Sequence, residues 1–366
     1  TEQVLDSYIA AVYEHTVILN PEPRTPLSRH DALRHMQRNL DVYEEQAALA
    51  AQQGAQIIVY PEDGIHGFNY TRSSISGYLE TIPDPEERWN PCMEPGRFNT
   101  NVVFNSEGLL VARYHKHNLY FEEAFDQPPQ AEIATFDTPF AGTFGLIVCF
   151  DILFRDPTVT LVEQGVRQLV FPTAWMNQLP LLDSIQFQQA FSLGANVSLL
   201  AANIRNDRLI MTGSVMMYDP FQFALLNETR GKLSVCDGAF CCHLQYEWMA
   251  HDKRSELYAL GAFAGTHVVN GRYALQVCAV VRCATLEASS CGQEVEEAES
   301  KMDFLLEATF DTRHVYPSVL ASRLVLEHPE RLEKAPDGRV VMKHSSVSGG
   351  LVTACLYGRM YHLDQE

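Results

Sequence analysis

Seven of the nine cysteines (Cys236, Cys241, Cys242, Cys278, Cys283, Cys291 and Cys355) lie at or beyond residue 236, and only Cys92 and Cys149 precede them. No Cys-x-x-Cys pair stands beside a suitable pair of histidines, so the cluster does not have the spacing of a zinc site. It reads instead as a disulfide framework, which requires an oxidising compartment. At least two disulfides are expected within residues 236–355, and the odd total leaves at least one thiol free or without its partner. Three Asn-x-Ser/Thr sequons, at Asn69, Asn196 and Asn227, fit a secreted, extracellular chain. Asn69 and Asn227 are the expected glycosylation sites. Asn196 lies in the apolar run Asn-Val-Ser-Leu-Leu-Ala-Ala and is expected to be buried and unmodified. The chain opens on Thr-Glu-Gln-Val, without a charged n-region or an apolar h-region, and carries no signal peptide as given.

The 366 residues are enough for two domains. Lys plus Arg total 27 against 46 Asp plus Glu, a net charge of −19. Such an acidic chain is repelled by phosphate backbones and anionic headgroups, which argues against nucleic-acid or membrane partners. The most apolar stretch, Phe140 to Phe154, is broken by Thr143 and Asp151 and falls short of the ~20 apolar residues that span a bilayer. A soluble monomer is expected.

Strand and helix patterns alternate over residues 1–214. Tyr8–Tyr13 reads as a buried strand. Ser28 and Asp31 form a variant capping box, ahead of an apolar helical stripe at Leu33, Met36, Leu40, Tyr43, Ala47 and Ala50 that Gly54 stops. Gln56–Tyr60 is a strand, and Asn101–Phe104 with Leu109–Tyr114 is a hairpin around Asn105–Gly108. Strands follow at Phe144–Val148 and Gln168–Phe171, with helices from Asp156-Pro157 and over Phe187–Leu193. From about Val215 the helical signals fade, and short apolar runs such as Tyr273–Val281 and Leu351–Tyr357 predict strands. The domain boundary is expected at 214/215, and the acidic stretch Glu294–Glu299 is expected to be solvated.

Three residues with reactive side chains sit where strands end, the position at which open α/β sheets present their ligand sites. Glu62 follows Ile57–Tyr60, Lys116 follows Leu109–Tyr114, and Cys149 falls between a strand and the helix near Asp156. A carboxylate, an ammonium and a thiol together suffice for acyl transfer through a thioester. His115 and His117, flanking Lys116 on the expected strand, would share a face, but no third ligand accompanies them and no metal site is expected.

Tyr60-Pro-Glu-Asp-Gly64, Tyr114-His-Lys-His-Asn-Leu119 and Val148-Cys-Phe-Asp-Ile-Leu-Phe154 resemble the three catalytic motifs of the nitrilase superfamily of carbon–nitrogen hydrolases. Phe171-Pro-Thr-Ala-Trp-Met-Asn177 resembles the segment lining that family's pocket. Within it, Ile65–Thr71, Leu119–Glu122, Asn177–Leu182 and the tail run Ser345–Ala354 with Leu356–Arg359 look most like the biotinidase side of the biotinidase/vanin branch. The resemblance implies an α-β-β-α sandwich over residues 1–214, followed by a smaller cysteine-rich, mostly β domain over 215–366. It further implies a cofactor-free amidase that releases biotin from biotinyl-lysine (biocytin) or short biotinyl peptides. Pantetheine hydrolysis, or an inactive shortened form, is the alternative. Cys149 would be the nucleophile, Glu62 the general base and acid, and Lys116 the oxyanion partner together with the Phe150 backbone N–H. Trp175 would line the pocket. A second glutamate is expected shortly after the lysine, and both Glu122 and Glu123 fall there.

The chain also departs from this pattern. Relatives carry some tens of additional residues between the segments matching 97–99 and 101–104, and more at Ser214/Val215. Cys92 is expected to have lost its partner with the first of these, and the placement of Glu62 to suffer more than that of Lys116 against Cys149.

Overall fold

The computed structural model describes residues 7–83, 85, 96–176, 179–206, 219–249, 256–268 and 271–364. Cys92, Asn177 and the boundary expected at 214/215 lie outside the described residues. The chain divides into two compact units, Thr1–Trp175 with Val197–Met211, and Met176–Asn196 with Thr212–Glu366.

The first unit is mixed α/β. Its elements are β1 (Ala10–Val12), α1 (Arg29–Gln52), β2 (Ile57–Val59), β3 (Thr100–Phe104), β4 (Leu110–His115), β5 (Thr135–Thr138), β6 (Gly142–Leu146), α2 (Thr160–Glu163), β7 (Gln168–Thr173) and, after an excursion into the second unit, β8 (Ser198–Asn203). β1 and β2 pair in parallel, β3 and β4 form a hairpin, and β5-β6-β7-β8 is a four-stranded sheet, parallel from β6 onward. Phe144, Leu146, Leu169 and Phe171 are fully buried in that sheet, as expected of parallel strands covered on both faces. The hairpin turn forms as its sequence predicts: the Asn105 side chain accepts from the backbone N–H groups of Glu107 and Leu109, and Gly108 takes φ +76°.

Helix α1 starts where Ser28 caps it, accepting from Asp31 N–H, and ends before Gly54 (φ +79°). Its buried stripe is the expected one only in part: Met36 and Tyr43 face inward as expected, but the face is rotated. Leu33 and Leu40 are exposed, whereas Ala32, His35, Met36, Asn39 and Tyr43 face inward. The reason is polar: Asn39 bonds His15 and the Ile18 and Ile65 backbone, and His35 bonds Tyr78 Oη and the Ile18 carbonyl. Buried polar groups are tolerated when each finds such partners, so apolar periodicity alone misplaced the face.

Among the described residues the second unit opens with helix α3 (Ser184–Ala195), followed by the strands β9 (Gln222–Leu225), β10 (Arg230–Asp237), β11 (Phe240–Trp248), β12 (Tyr258–His267), β13 (Tyr273–Arg282), β14 (Met302–Thr309), β15 (Val315–Ala321), β16 (Val325–Glu327), β17 (Arg331–Lys334), β18 (Arg339–His344) and β19 (Leu351–Arg359). They form a five-stranded sheet, β10-β11-β14-β18-β17, and a six-stranded sheet, β16-β15-β19-β13-β12-β9. Leu244, Phe304, Leu306 and Met342 of the first pack with Leu260, Val280, Val319 and Leu356 of the second in one apolar core. Phe187 and Phe191 of α3 pack on Tyr316 of β15, and Phe187 also on Tyr357 of β19.

Three disulfides staple this unit: Cys236–Cys241, Cys242–Cys278 and Cys283–Cys291. Successive residues of a strand point to opposite faces, so the adjacent Cys241 and Cys242 serve different bonds. Cys241 pairs across the β10–β11 hairpin, and Cys242 points into the core and ties β11 to β13 of the other sheet. Cys149 and Cys355 are free and buried. Asn196, expected to be buried, is exposed: it is the left-handed C-cap of α3 (φ +55°), a position that asparagine tolerates. Asn69 and Asn227 are exposed as well. Among the described residues, no helix is long and apolar enough to cross a membrane.

Candidate active site

Four segments of the first unit converge at the C-terminal ends of their strands. Pro61 and Glu62 follow β2, Lys116 follows β4, Cys149 opens a tight 3-10 turn (Cys149–Leu153) after β6, and Ala174 follows β7. Lys116 Nζ donates to Glu62 Oε1 at 2.6 Å and to Glu122 Oε2 at 2.6 Å, and both Lys116 and Glu62 are buried. The other Glu62 oxygen accepts from Ala174 N–H at 3.1 Å. Asn99 Nδ2 bridges the two glutamates, at 2.7 Å from Glu62 Oε1 and 2.6 Å from Glu122 Oε1, and the Asn99 carbonyl accepts from Lys116 N–H at 2.8 Å. Glu122 also accepts from Tyr120 N–H. Glu123 is exposed, so the geometry brings Glu122 to the lysine.

Cys149 is buried and holds φ +45°, a left-handed backbone that costs a non-glycine residue roughly 1–2 kcal/mol. Such strain projects a side chain from a strand-to-helix turn. Burial pushes the thiol well above its ordinary value, the Glu62 charge adds to this, and Lys116 opposes it. The resting sulfur is therefore a thiol and needs a base. Burial alone would lower the Lys116 ammonium, but the Glu62 and Glu122 carboxylates outweigh it and hold the group well above its usual range. Burial raises Glu122 against the pull of Lys116. Desolvation, with Glu62 and Glu122 nearby, pushes the Asp63 carboxyl well up.

Phe150 packs its ring on Tyr120 and Phe154, and Trp175 is buried, its backbone N–H donating to Asn203 Oδ1 at 2.9 Å. His115 and His117 do not share a strand face. β4 ends at His115, whose Nδ1 pairs with Glu132 at 2.8 Å, and His117 lies beyond it. No grouping of His, Cys, Asp and Glu that could hold a metal ion occurs among the described residues. Asn99 was missed from sequence, where it stood only as the edge of a shortened junction, because its contacts are with residues 23 and 37 positions away.

Residues 81–220 match the carbon–nitrogen hydrolase family, a span that holds Lys116 and Cys149 but not Glu62, and residues 210–364 match the Vanin C-terminal domain. A biotinidase of Takifugu rubripes is 56% identical over 485 aligned positions, covering 100% of this chain and 96% of the relative. A biotinidase of Mus musculus is 39% identical (97% and 93% covered), and a pantetheinase of Bos taurus is 38% identical (98% and 91% covered). The chain belongs to the biotinidase/vanin branch of the carbon–nitrogen hydrolases.

Members of that branch hydrolyse amides, and this chain is a carbon–nitrogen hydrolase with a nitrilase-fold domain and a Vanin C-terminal domain. The alignment of its 366 residues with the Takifugu relative runs over 485 positions, so at least 119 of them face a gap in this chain. The departure from the branch thus lies inside the chain, consistent with first-unit strands spread over separate sheets of two, two and four.

Proposed function

We propose that the chain hydrolyses biotin amides, biotinyl-lysine and short biotinyl peptides, through a thioester on Cys149, in an extracellular setting. Glu62 takes the thiol proton as sulfur attacks the amide carbonyl carbon, and the tetrahedral oxyanion is met by Lys116 and the Phe150 N–H. The C–N bond breaks as Glu62 returns the proton to the leaving amine. Water, losing a proton to Glu62, then attacks the thioester, and the free acid leaves as that proton goes back to sulfur. Glu122 and Asn99 hold Lys116 and Glu62 in register, and Trp175 lines the acyl side.

The observation that carries the chemistry is the buried Lys116 between Glu62 and Glu122, with Cys149 within electrostatic reach of both Lys116 and Glu62. For the acyl group, support comes from the 56% identity to a biotinidase. Pantetheine hydrolysis is the second reading, because the bovine pantetheinase and the murine biotinidase match almost equally well. Purified protein incubated separately with biotinyl-lysine and with pantetheine tests both. Release of biotin and lysine, with slower release of cysteamine, is expected. Faster cysteamine release would transfer the assignment to pantetheine, and no release from either would leave an inactive form.

A further inference from the structure

Asp151 is fully buried, two residues after Cys149. It accepts four hydrogen bonds. Oδ1 takes the Asn118 backbone N–H at 2.9 Å and Asn118 Nδ2 at 2.8 Å, and Oδ2 takes Tyr114 Oη at 2.8 Å and Val148 N–H at 3.0 Å. Tyr114 and Asn118 bracket Lys116 at two residues on either side, and Val148 immediately precedes Cys149. The Asp151 backbone takes part too: its N–H donates to the Val148 carbonyl at 3.0 Å, and its carbonyl accepts from Thr158 Oγ1 at 2.6 Å. Val148 and Asp151 thus close on each other through two bonds around the left-handed Cys149.

We propose that Asp151 is a positioning residue that sets the distance between the Lys116 ammonium and the Cys149 sulfur by clamping the lysine segment to the nucleophile turn. Every group facing its carboxylate is a donor, so only an acceptor on both oxygens satisfies the site. Burial raises its carboxyl, while the Asn118 and Val148 donors and the Lys116 charge act the other way. An isosteric asparagine would turn an N–H₂ toward either the Asn118 donors or the Val148 N–H. Such a mismatch moves the two segments apart, and a displacement of about 1 Å costs such a reaction on the order of a hundredfold.

The inference rests on Cys149 being the nucleophile, so its test includes a readout that needs no substrate: the alkylation rate of Cys149 by iodoacetamide, followed by peptide mass from pH 6 to 10. In Asp151→Asn, kcat for a biotin amide should fall about a hundredfold with KM within about threefold, and the pH profile of Cys149 alkylation should shift. Tyr114→Phe, which removes one donor and leaves Asp151 in place, should lower kcat about tenfold and shift the same profile. The double variant should lose less than the product of the two single losses, because both act through one bond. If Asp151→Asn does not fold, Tyr114→Phe alone decides. A folded variant with a lowered melting temperature but wild-type kcat and alkylation profile would reduce Asp151 to a stabilising residue and overturn the proposal, as would independent multiplication of the two effects. Activity surviving in Cys149→Ala would instead sink the nucleophile assignment itself.

Discussion

Lys116 Nζ reaches Glu62 Oε1 at 2.6 Å although 54 residues, including the shortened junction near 99–101, separate the two in the chain. The short junction has not parted Glu62 from Lys116. Asn99 explains why. It stands at the junction, donates to both Glu62 and Glu122, and accepts from Lys116 N–H.

Of the two adjacent glutamates, only Glu122 touches the lysine. Glu122→Gln should lower kcat by about a hundredfold, since it removes one of two charges holding Lys116. Glu123→Gln should stay within about twofold of the parent. Steady-state kinetics on the two variants check this, and equal losses would contradict the geometry.

Where the reactive residues lie was legible in the sequence because each ends a strand with a clear apolar pattern; Lys116 meets Glu62, and Cys149 lies within electrostatic reach of both. Asn99 and Asp151 were not legible, because their roles depend on contacts across 23 to 37 residues of chain. The α1 stripe failed for a related reason: a buried Asn39 or His35 has no apolar signature and is found only through its partners. The cysteine-rich strands were legible as a disulfide framework. Their pairing was not, since it depends on the register that sets Cys241 and Cys242 on opposite faces.

Asp183 makes stability depend on pH. It is fully buried, caps α3 through Gln186 N–H, and burial pushes its carboxyl up to about 6. The folded value exceeds the unfolded one of about 3.9, so this group's favourable contribution is complete below pH 4 and is lost as pH rises through 6. Asp183→Asn keeps a capping acceptor and removes that loss. Its melting temperature relative to the parent should climb between pH 4 and 7.5, by the equivalent of about 2–3 kcal/mol. A difference that stays flat with pH would contradict the assignment.

The disulfides should differ in worth. Cys242–Cys278 closes a separation of 36 residues and Cys236–Cys241 one of 5. Loop-closure entropy then gives ~4 kcal/mol for the first and ~2 for the second. Urea unfolding of the two Cys-pair-to-Ala variants should show the larger loss for the core bridge, and the reverse order would be inconsistent with this account.

Among the described residues the hairpin β3–β4 is a two-stranded sheet, with Phe104 60% and Leu109 57% exposed. Inserting between Asn99 and Thr100 the matching segment of a longer relative should raise the melting temperature by several degrees, since covering each such side chain contributes about 1.5–3 kcal/mol. Because Glu62 already meets Lys116, the rate should change by less than about tenfold. Calorimetry and initial rates on the two versions check both parts.

Hydrolysis through Cys149 requires a covalent acyl-enzyme there, and trapping it is the most direct measurement. The protein is mixed with an activated ester of biotin, quenched in acid within one turnover and mapped by peptide mass spectrometry. The prediction is one biotinyl group on the peptide carrying Cys149, absent in Cys149→Ala and decaying in the wild type as free biotin appears. Biotin release with no adduct at Cys149, or an adduct that never turns over, would contradict it.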